Sequence, residues 1–251
     1  MPEPIVFYDI PANVRGIAFS GNTLKTRFSL NYKGLPFKTV WVEYPDIART
    51  CKELGIGPTG TWPDGSPMYT LPAIHDPSTG TSIANSTAIA RYLDATYPDT
   101  PRVIPEGTEA FHEAFEEALA PTLVPHLLYI HFPAVYGRLN EASKAYFKAA
   151  RESVLGGKME QWSPLGSETR EQQWVKLEAG LGRIERWLTA DGKERRFFMG
   201  DKPSFADFVL GARLLGLKRA IGEEHKEWKR VEQWHGGRWA RLLLSMEAYA
   251  T

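Results

Sequence analysis

The sequence predicts an α/β domain over residues 1–100 followed by an all-helical domain over residues 108–251. Three observations carry this reading. Within the first domain, short runs of β-branched and aromatic residues alternate with helical patterns. From Leu71 to Leu93 the apolar period changes from two to three or four, as a hairpin running into a helix requires. After Tyr97-Pro98-Asp99-Thr100-Pro101 the apolar patterns have helical spacing.

Taken in order, Ile5 to Tyr8 is a short apolar run that fits a buried strand, and Pro11 ends it. Ile17 to Asn22 reads as a loop entering a helix, because Leu24, Arg27, Phe28, Leu30 and Asn31 follow at helical spacing and Gly34 marks the stop. Phe37 to Val42 alternates as a second strand. The Gly- and Pro-rich segment Pro45 to Thr70 predicts one short helix around Ile47 to Leu54 and then a long loop. Leu71 to His75 and Thr81 to Ala84 are strands joined by Asp76-Pro77-Ser78-Thr79-Gly80, a turn in which Pro presets φ and Gly admits φ > 0. A helix starts near Ser86 with Ala88, Ile89, Tyr92 and Leu93 on one face. The order β-α-β, a variable linker, then β-β-α is the one a thioredoxin-like domain requires.

In the second half Phe111, Phe115, Leu119 and Leu123 repeat every four residues, and Pro121 and Pro125 should bend or interrupt that helix. Tyr146 to Leu155 and Gln173 to Leu188 are amphipathic, separated by the polar segment Gly156 to Thr169. Pro203 precedes Ser204-Phe205-Ala206-Asp207, a capping box whose hydroxyl and carboxylate satisfy orphan amides reciprocally. The run Phe208, Val209, Leu210, Ala212, Leu214, Leu215 is too continuous for a surface helix and implies a buried one. Trp228, Trp234 and Trp239 are expected to pack the C-terminal core.

Thirty basic and thirty acidic side chains cancel over 251 residues, so no global field favours nucleic acid or an anionic membrane as partner. No run approaches the roughly 18 to 20 apolar residues of a membrane span, and MPEPIVFYDIP lacks the basic start and apolar middle of a signal peptide. The cytosol is the expected compartment. With Cys51 as the only cysteine there is no internal disulfide and no cysteine metal cluster; the six histidines form no H-E-x-x-H or close-spaced pair, so no metal is expected.

Two local features suggest a binding site. Pro72 cannot donate a ladder bond, so at a strand start it implies an edge, a bulge or a cis peptide. Asn85 and Ser86 stand at a helix start whose unpaired N–H groups suit a carboxylate, although capping alone also accounts for the pair. With these residues and with Gly200-Asp201-Lys202-Pro203-Ser204-Phe205-Ala206-Asp207, the chain resembles the glutathione transferases over almost its whole length. In look it is most similar to fungal class A transferases and bacterial β-etherase-like proteins. The resemblance implies a cis peptide before Pro72, a homodimer, and glutathione as co-substrate lying across Ser20, the Thr70-Leu71-Pro72 backbone, Asn85 and Ser86. Many family members carry Glu or Asp where this chain has Asn85, whose amide accepts and donates but brings no charge to the peptide's ammonium.

The resemblance also places the chemistry at the start of the first helix, where Tyr, Ser or Cys stabilises the glutathione thiolate. Ser20, Asn22 and Thr23 are available there, and Tyr8 stands at the end of the first strand, where some Tyr-type classes have theirs. Ser20 is preferred, because Ser20-Gly21-Asn22-Thr23-Leu24-Lys25-Thr26 is similar to the Ser-x-x-x-x-Lys-Thr phrase of ether-cleaving relatives; helix capping is its competing role. Cys51 falls in the second-helix region and is expected to be structural. The function implied is glutathione transfer to, or ether cleavage of, small hydrophobic or aromatic electrophiles. These would bind between the domains against Phe111, Phe115 and Tyr129. A ligand carrier of the same fold for hydrophobic phenolic compounds is the other reading.

Overall fold

The computed structural model describes residues 3–251. Its first part is a four-stranded mixed sheet in the order β2 (Phe37–Trp41), β1 (Ile5–Asp9), β5 (Ala73–Asp76), β6 (Thr81–Ala84). Strand β1 (Ile5–Asp9) pairs parallel with β2 (Phe37–Trp41), the two joined through helix α1 (Thr23–Lys33), which Gly34 ends in the left-handed conformation. Helix α2 (Ile47–Glu53) follows. The loop expected beyond it instead folds into a small hairpin of β3 (Gly60–Thr61) and β4 (Pro67–Met68). Strands β5 (Ala73–Asp76) and β6 (Thr81–Ala84) form the second hairpin, and β5 also pairs antiparallel with β1.

Register decides which side chains reach which face. Phe7 stands opposite Ile74, and both pack with Leu30 of α1 and with Ile89 and Leu93 of helix α3 (Ser86–Thr96). Ala73 lies on the other face, where Cys51 of α2 joins the same apolar cluster. The sheet is thus covered on both sides, as a thioredoxin-like domain requires.

The second part is all helical: α4 (Glu109–Tyr136), α5 (Glu141–Leu155), the short α6 (Met159–Trp162), α7 (Glu168–Leu188), α8 (Phe205–Ile221) and α9 (Lys226–Met246). The expected capping box opens α8: the Ser204 amide donates to Asp207 Oδ2 at 2.9 Å. Trp228, Trp234 and Trp239 are buried in the core. Helix α9 breaks at Trp234 to Gly237, with His235, Gly236 and Gly237 all at positive φ.

Helix α4 bears on two expectations. Pro121, Pro125 and Pro133 all lie inside it without ending it. Each proline frees the carbonyl four residues back: those of Glu117 and Pro121 belong to exposed residues, and that of Tyr129 accepts the Ser163 hydroxyl. By length and composition α4 is also apolar enough to cross a membrane, against the expectation that no run is. Its apolar stripe has another partner here, since Phe115, Leu119, Leu123 and Leu127 form one core with α7 and α8.

Helix α8 joins the two parts. Phe208 meets Phe28 of α1 edge-on with ring centroids 5.8 Å apart. Further along, a Cβ added to Gly216 would lie 2.5 Å from the Phe19 carbonyl oxygen, so only glycine permits this approach.

Candidate functional site

One end of the sheet gathers Tyr8, Pro72 and Asn85, whose amide donates to the Pro72 carbonyl at 3.2 Å. Tyr8 pairs with Ala73 and Ala73 with Ala84, so the exit of β1, the entry of β5 and the exit of β6 share one end. The peptide between Leu71 and Pro72 is cis, and both residues are buried. Strand β5 is interior, however, so Leu71 is not on a sheet edge; it lies beyond the last ladder pair, Tyr8 with Ala73. Thr70 bonds Thr59 through their hydroxyls at 2.8 Å, tying the small hairpin to this rim.

Asn85 has φ 79° and ψ 121°, an uncommon conformation for a residue with a side chain. Its carbonyl oxygen caps α3, accepting from the amides of Thr87 at 2.9 Å and Ala88 at 3.2 Å. The side-chain NH2 remains available as a donor. Ser86 beside it is 7% exposed.

Ser20 occupies the turn before α1. Its hydroxyl oxygen accepts from the amides of Asn22 at 3.3 Å and Thr23 at 3.4 Å, and its carbonyl accepts from Leu24 at 2.9 Å. Ser20 therefore caps this helix, whereas Asn22 makes no side-chain cap. As an acceptor in both bonds, the hydroxyl keeps its hydrogen free to donate elsewhere. Thr23 is fully buried and donates back to the Ser20 carbonyl, which leaves Ser20 and exposed Asn22 at the surface. Tyr8 is half-buried, and burial pushes its phenol pKa up.

Ser20 and Asn22 open onto a cavity of about 290 Å³ between the two parts of the molecule. Val124, Leu128 and Phe132 of α4 and Phe147 of α5 supply its apolar wall. Its polar residues include His131 of α4, Arg151 of α5 and Arg213 of α8. The Arg151 guanidinium stands 4.9 Å from the Phe132 ring centroid and 5.0 Å from that of Phe147. Burial and the two arginines together lower the His131 pKa to about 4, so the imidazole is neutral near pH 7. The Nε atoms of Arg151 and Arg213 and Nδ1 of His131 are buried without a hydrogen-bond partner.

The family models for the glutathione S-transferase N-terminal and C-terminal domains match residues 19–96 and 110–249. A glutathione S-transferase-like protein of Aspergillus flavus is 32% identical over 221 residues, 83% of this chain and 78% of its own. The chain belongs to the glutathione S-transferase family. A Ceriporiopsis subvermispora glutathione S-transferase crystallised with glutathione is 50% identical, with TM-score 0.96 over 99% of this chain and 98% of that one. GSTFuA3 of Phanerochaete chrysosporium is 45% identical, with TM-score 0.93 over 99% and 98%. These likenesses fit a fungal class A-like glutathione transferase.

In this glutathione transferase the residues expected to hold the electrophile lie apart from the cavity beside Ser20. Phe111 and Phe115 line a separate groove with Trp187 and Phe198, Phe115 being core and Phe111 42% exposed. Tyr129 packs edge-on against Trp162, ring centroids 6.0 Å apart, and does not line the cavity beside Ser20. Helix α4 has 28 residues and is about 42 Å long, so its N-terminal half cannot reach a cleft built from its C-terminal half. The four-residue repeat traced the stripe that packs on α7 and α8. Val124, Leu128, His131 and Phe132 lie further along.

Cys51 is fully buried, and burial pushes its thiol pKa up despite Arg49 and Lys52 nearby in sequence. The described residues hold no cluster of three or more His, Cys, Asp or Glu side chains suited to a metal.

Proposed function

We propose that this chain transfers glutathione to small aromatic electrophiles, or cleaves their ethers with it, through a thiolate stabilised by Ser20. The observation that carries the reading is the Ser20 hydroxyl, which caps α1, faces the interdomain cavity and retains a free hydrogen. A thiol of pKa near ~8.5 needs about 2.7 kcal/mol to drop by about two units. One charge-assisted hydrogen bond of roughly 1.5 to 3 kcal/mol and a helix N-terminus of roughly 0.3 to 1 kcal/mol supply that.

Glutathione would place its γ-glutamyl group at Asn85 and Ser86 and its peptide backbone along Leu71. The sulfur then attacks an electrophilic carbon in the cavity. A C–S bond forms as a C–halogen or C–O bond breaks, the halide or phenolate departs, and the thiol proton passes to solvent. The test is turnover of an aryl halide with glutathione by the wild type and by Ser20→Ala: a large loss confined to the rate supports the reading, and an unchanged rate removes Ser20 from it.

A carrier role is the second reading, favoured by the apolar groove of about 420 Å³ around Phe111, Phe115, Trp187 and Phe198, away from Ser20. Saturable binding of an apolar dye with turnover no faster than the uncatalysed reaction would replace the enzyme by a carrier.

A further inference from the structure

The cavity beside Ser20 carries more positive charge than an apolar-electrophile site needs. Arg151 and Arg213 reach it from two different helices, and among the described residues neither guanidinium has a carboxylate within 4.0 Å. Glu116, the carboxylate that acts on Arg213, is already held by Lys25 Nζ at 3.1 Å and by Thr87 Oγ1 at 2.7 Å. Both arginines have a buried Nε without a hydrogen-bond partner, and so does the neighbouring imidazole of His131 at Nδ1. Buried donors without partners are costly, and unpaired buried charges more so. A neutral aromatic would cover these groups and leave them unpaired. An aromatic anion would instead balance the charge of the two guanidinium groups.

The geometry points to a second substrate that is a small aromatic acid, its carboxylate or ionised phenol set between Arg151 and Arg213 and its ring against Val124, Leu128 and Phe132. The assignment rests on the transferase reading for its chemistry but not for its binding. Arg151 lies over the rings of Tyr44, Phe132 and Phe147, an arrangement that holds the flat guanidinium in place without consuming its charge. The planar fork is matched to a carboxylate, which it can bind through two parallel N–H donors.

The test compares 4-chloro-3-nitrobenzoate with its methyl ester, which share ring and leaving group and differ in charge. Dissociation constants for both are measured by calorimetry on the full chain with S-methylglutathione present; kcat/KM with glutathione is measured for both and divided by each uncatalysed rate. The wild type should prefer the acid by about 10- to 100-fold in binding, the range expected for a charge-assisted pair. In Arg213→Gln and in Arg151→Gln that preference should collapse toward unity, while Arg213→Lys should keep part of it. Thermal melts identify any variant that fails to fold, and the remaining arginine variant then decides.

Equal binding of acid and ester by the wild type overturns the proposal. So does a rise in the glutathione dissociation constant matching that for the acid, which would mean that glutathione's own carboxylate occupies the arginines. Acid-selective binding lost in the arginine variants, with no turnover of either compound, upholds the anion site and fails the transferase reading instead.

Discussion

Gly216 on α8 sits so close to Phe19 that a Cβ there would stand 2.5 Å from the Phe19 carbonyl oxygen. The contact has a counterpart one residue past Ser20, where a Cβ on Gly21 would lie 3.2 Å from the Arg213 Cα. Arg219 adds a third tie, donating to the Ala18 carbonyl at 2.7 Å. The turn that presents Ser20 is therefore clamped by α8 of the helical domain. Gly216→Ala should push this turn away, cutting kcat/KM by about 10- to 100-fold at a stability cost of about 1 to 3 kcal/mol, as overpacking does. Steady-state kinetics beside a urea melt check this; turnover within twofold of wild type would show that the turn needs no such seat.

Ser20→Ala removes both a cap and the proposed thiolate donor, and the two losses separate by measurement. Capping should cost about 1 kcal/mol of stability. Thiolate stabilisation should cost roughly ten- to a thousandfold in kcat/KM, with the pKa of bound glutathione rising toward ~8.5. Ultraviolet titration of the bound thiolate reads that pKa. If it does not move, Ser20 is only a cap and Asn22 becomes the next candidate.

Asn85 and Ser86 divide between conformation and binding. Asn85→Gly tolerates the positive φ and loses only the side chain, so its stability loss should be a few tenths of a kcal/mol. The KM for glutathione should rise in Asn85→Gly and in Ser86→Ala, with kcat less affected. A KM that holds in both variants would return the pair to a purely capping role.

His131 predicts a pH dependence of stability. Its folded pKa of about 4 lies below the ordinary 6.5 because the ring is buried away from water and, secondarily, because Arg213 on α8 and Arg151 on α5 face it. The unfolded chain binds this proton first on acidification. The stability associated with neutral His131 is thus complete above pH 6.5 and is lost as pH falls toward 4, by about 3 kcal/mol in all. Urea midpoints from pH 7 to 4 should fall less steeply in His131→Gln than in wild type. Parallel curves would show that the imidazole is not held neutral.

Cys51 should be a spectator. It is fully buried with a raised thiol pKa, so Cys51→Ala should leave conjugation within about twofold while costing about 1 kcal/mol of packing. A mass spectrum of the wild type taken during turnover should show no glutathione adduct on this sulfur, and finding one would overturn the thiolate assignment.

The features legible in the sequence are those written in neighbouring residues. Gly34 ends α1, Ser204 and Asp207 open α8, and the change of period after Ala84 marks β6 giving way to α3. The small hairpin at Gly60 and Pro67 was hidden because each strand has two residues, too few to show a period. The cavity's charge was hidden for another reason. His131, Arg151 and Arg213 come from α4, α5 and α8, and nothing local to any of them announces that the three converge. A mid-helix arginine reads as a solvated face until packing removes the water.

The clamp on Ser20 also bears on how such a protein can be recombined. The hydroxyl is encoded by the first domain but kept in position by Gly216 and Arg219 of the second. A chimaera joining residues 3–96 to the helical half of a distant relative inherits Leu71, Pro72, Asn85 and Ser86 intact, yet leaves the seat of Ser20 behind. Under the proposed Ser20 chemistry the heritable unit of catalysis is the seam, and a crossover placed in the linker between α3 and α4 cuts through it.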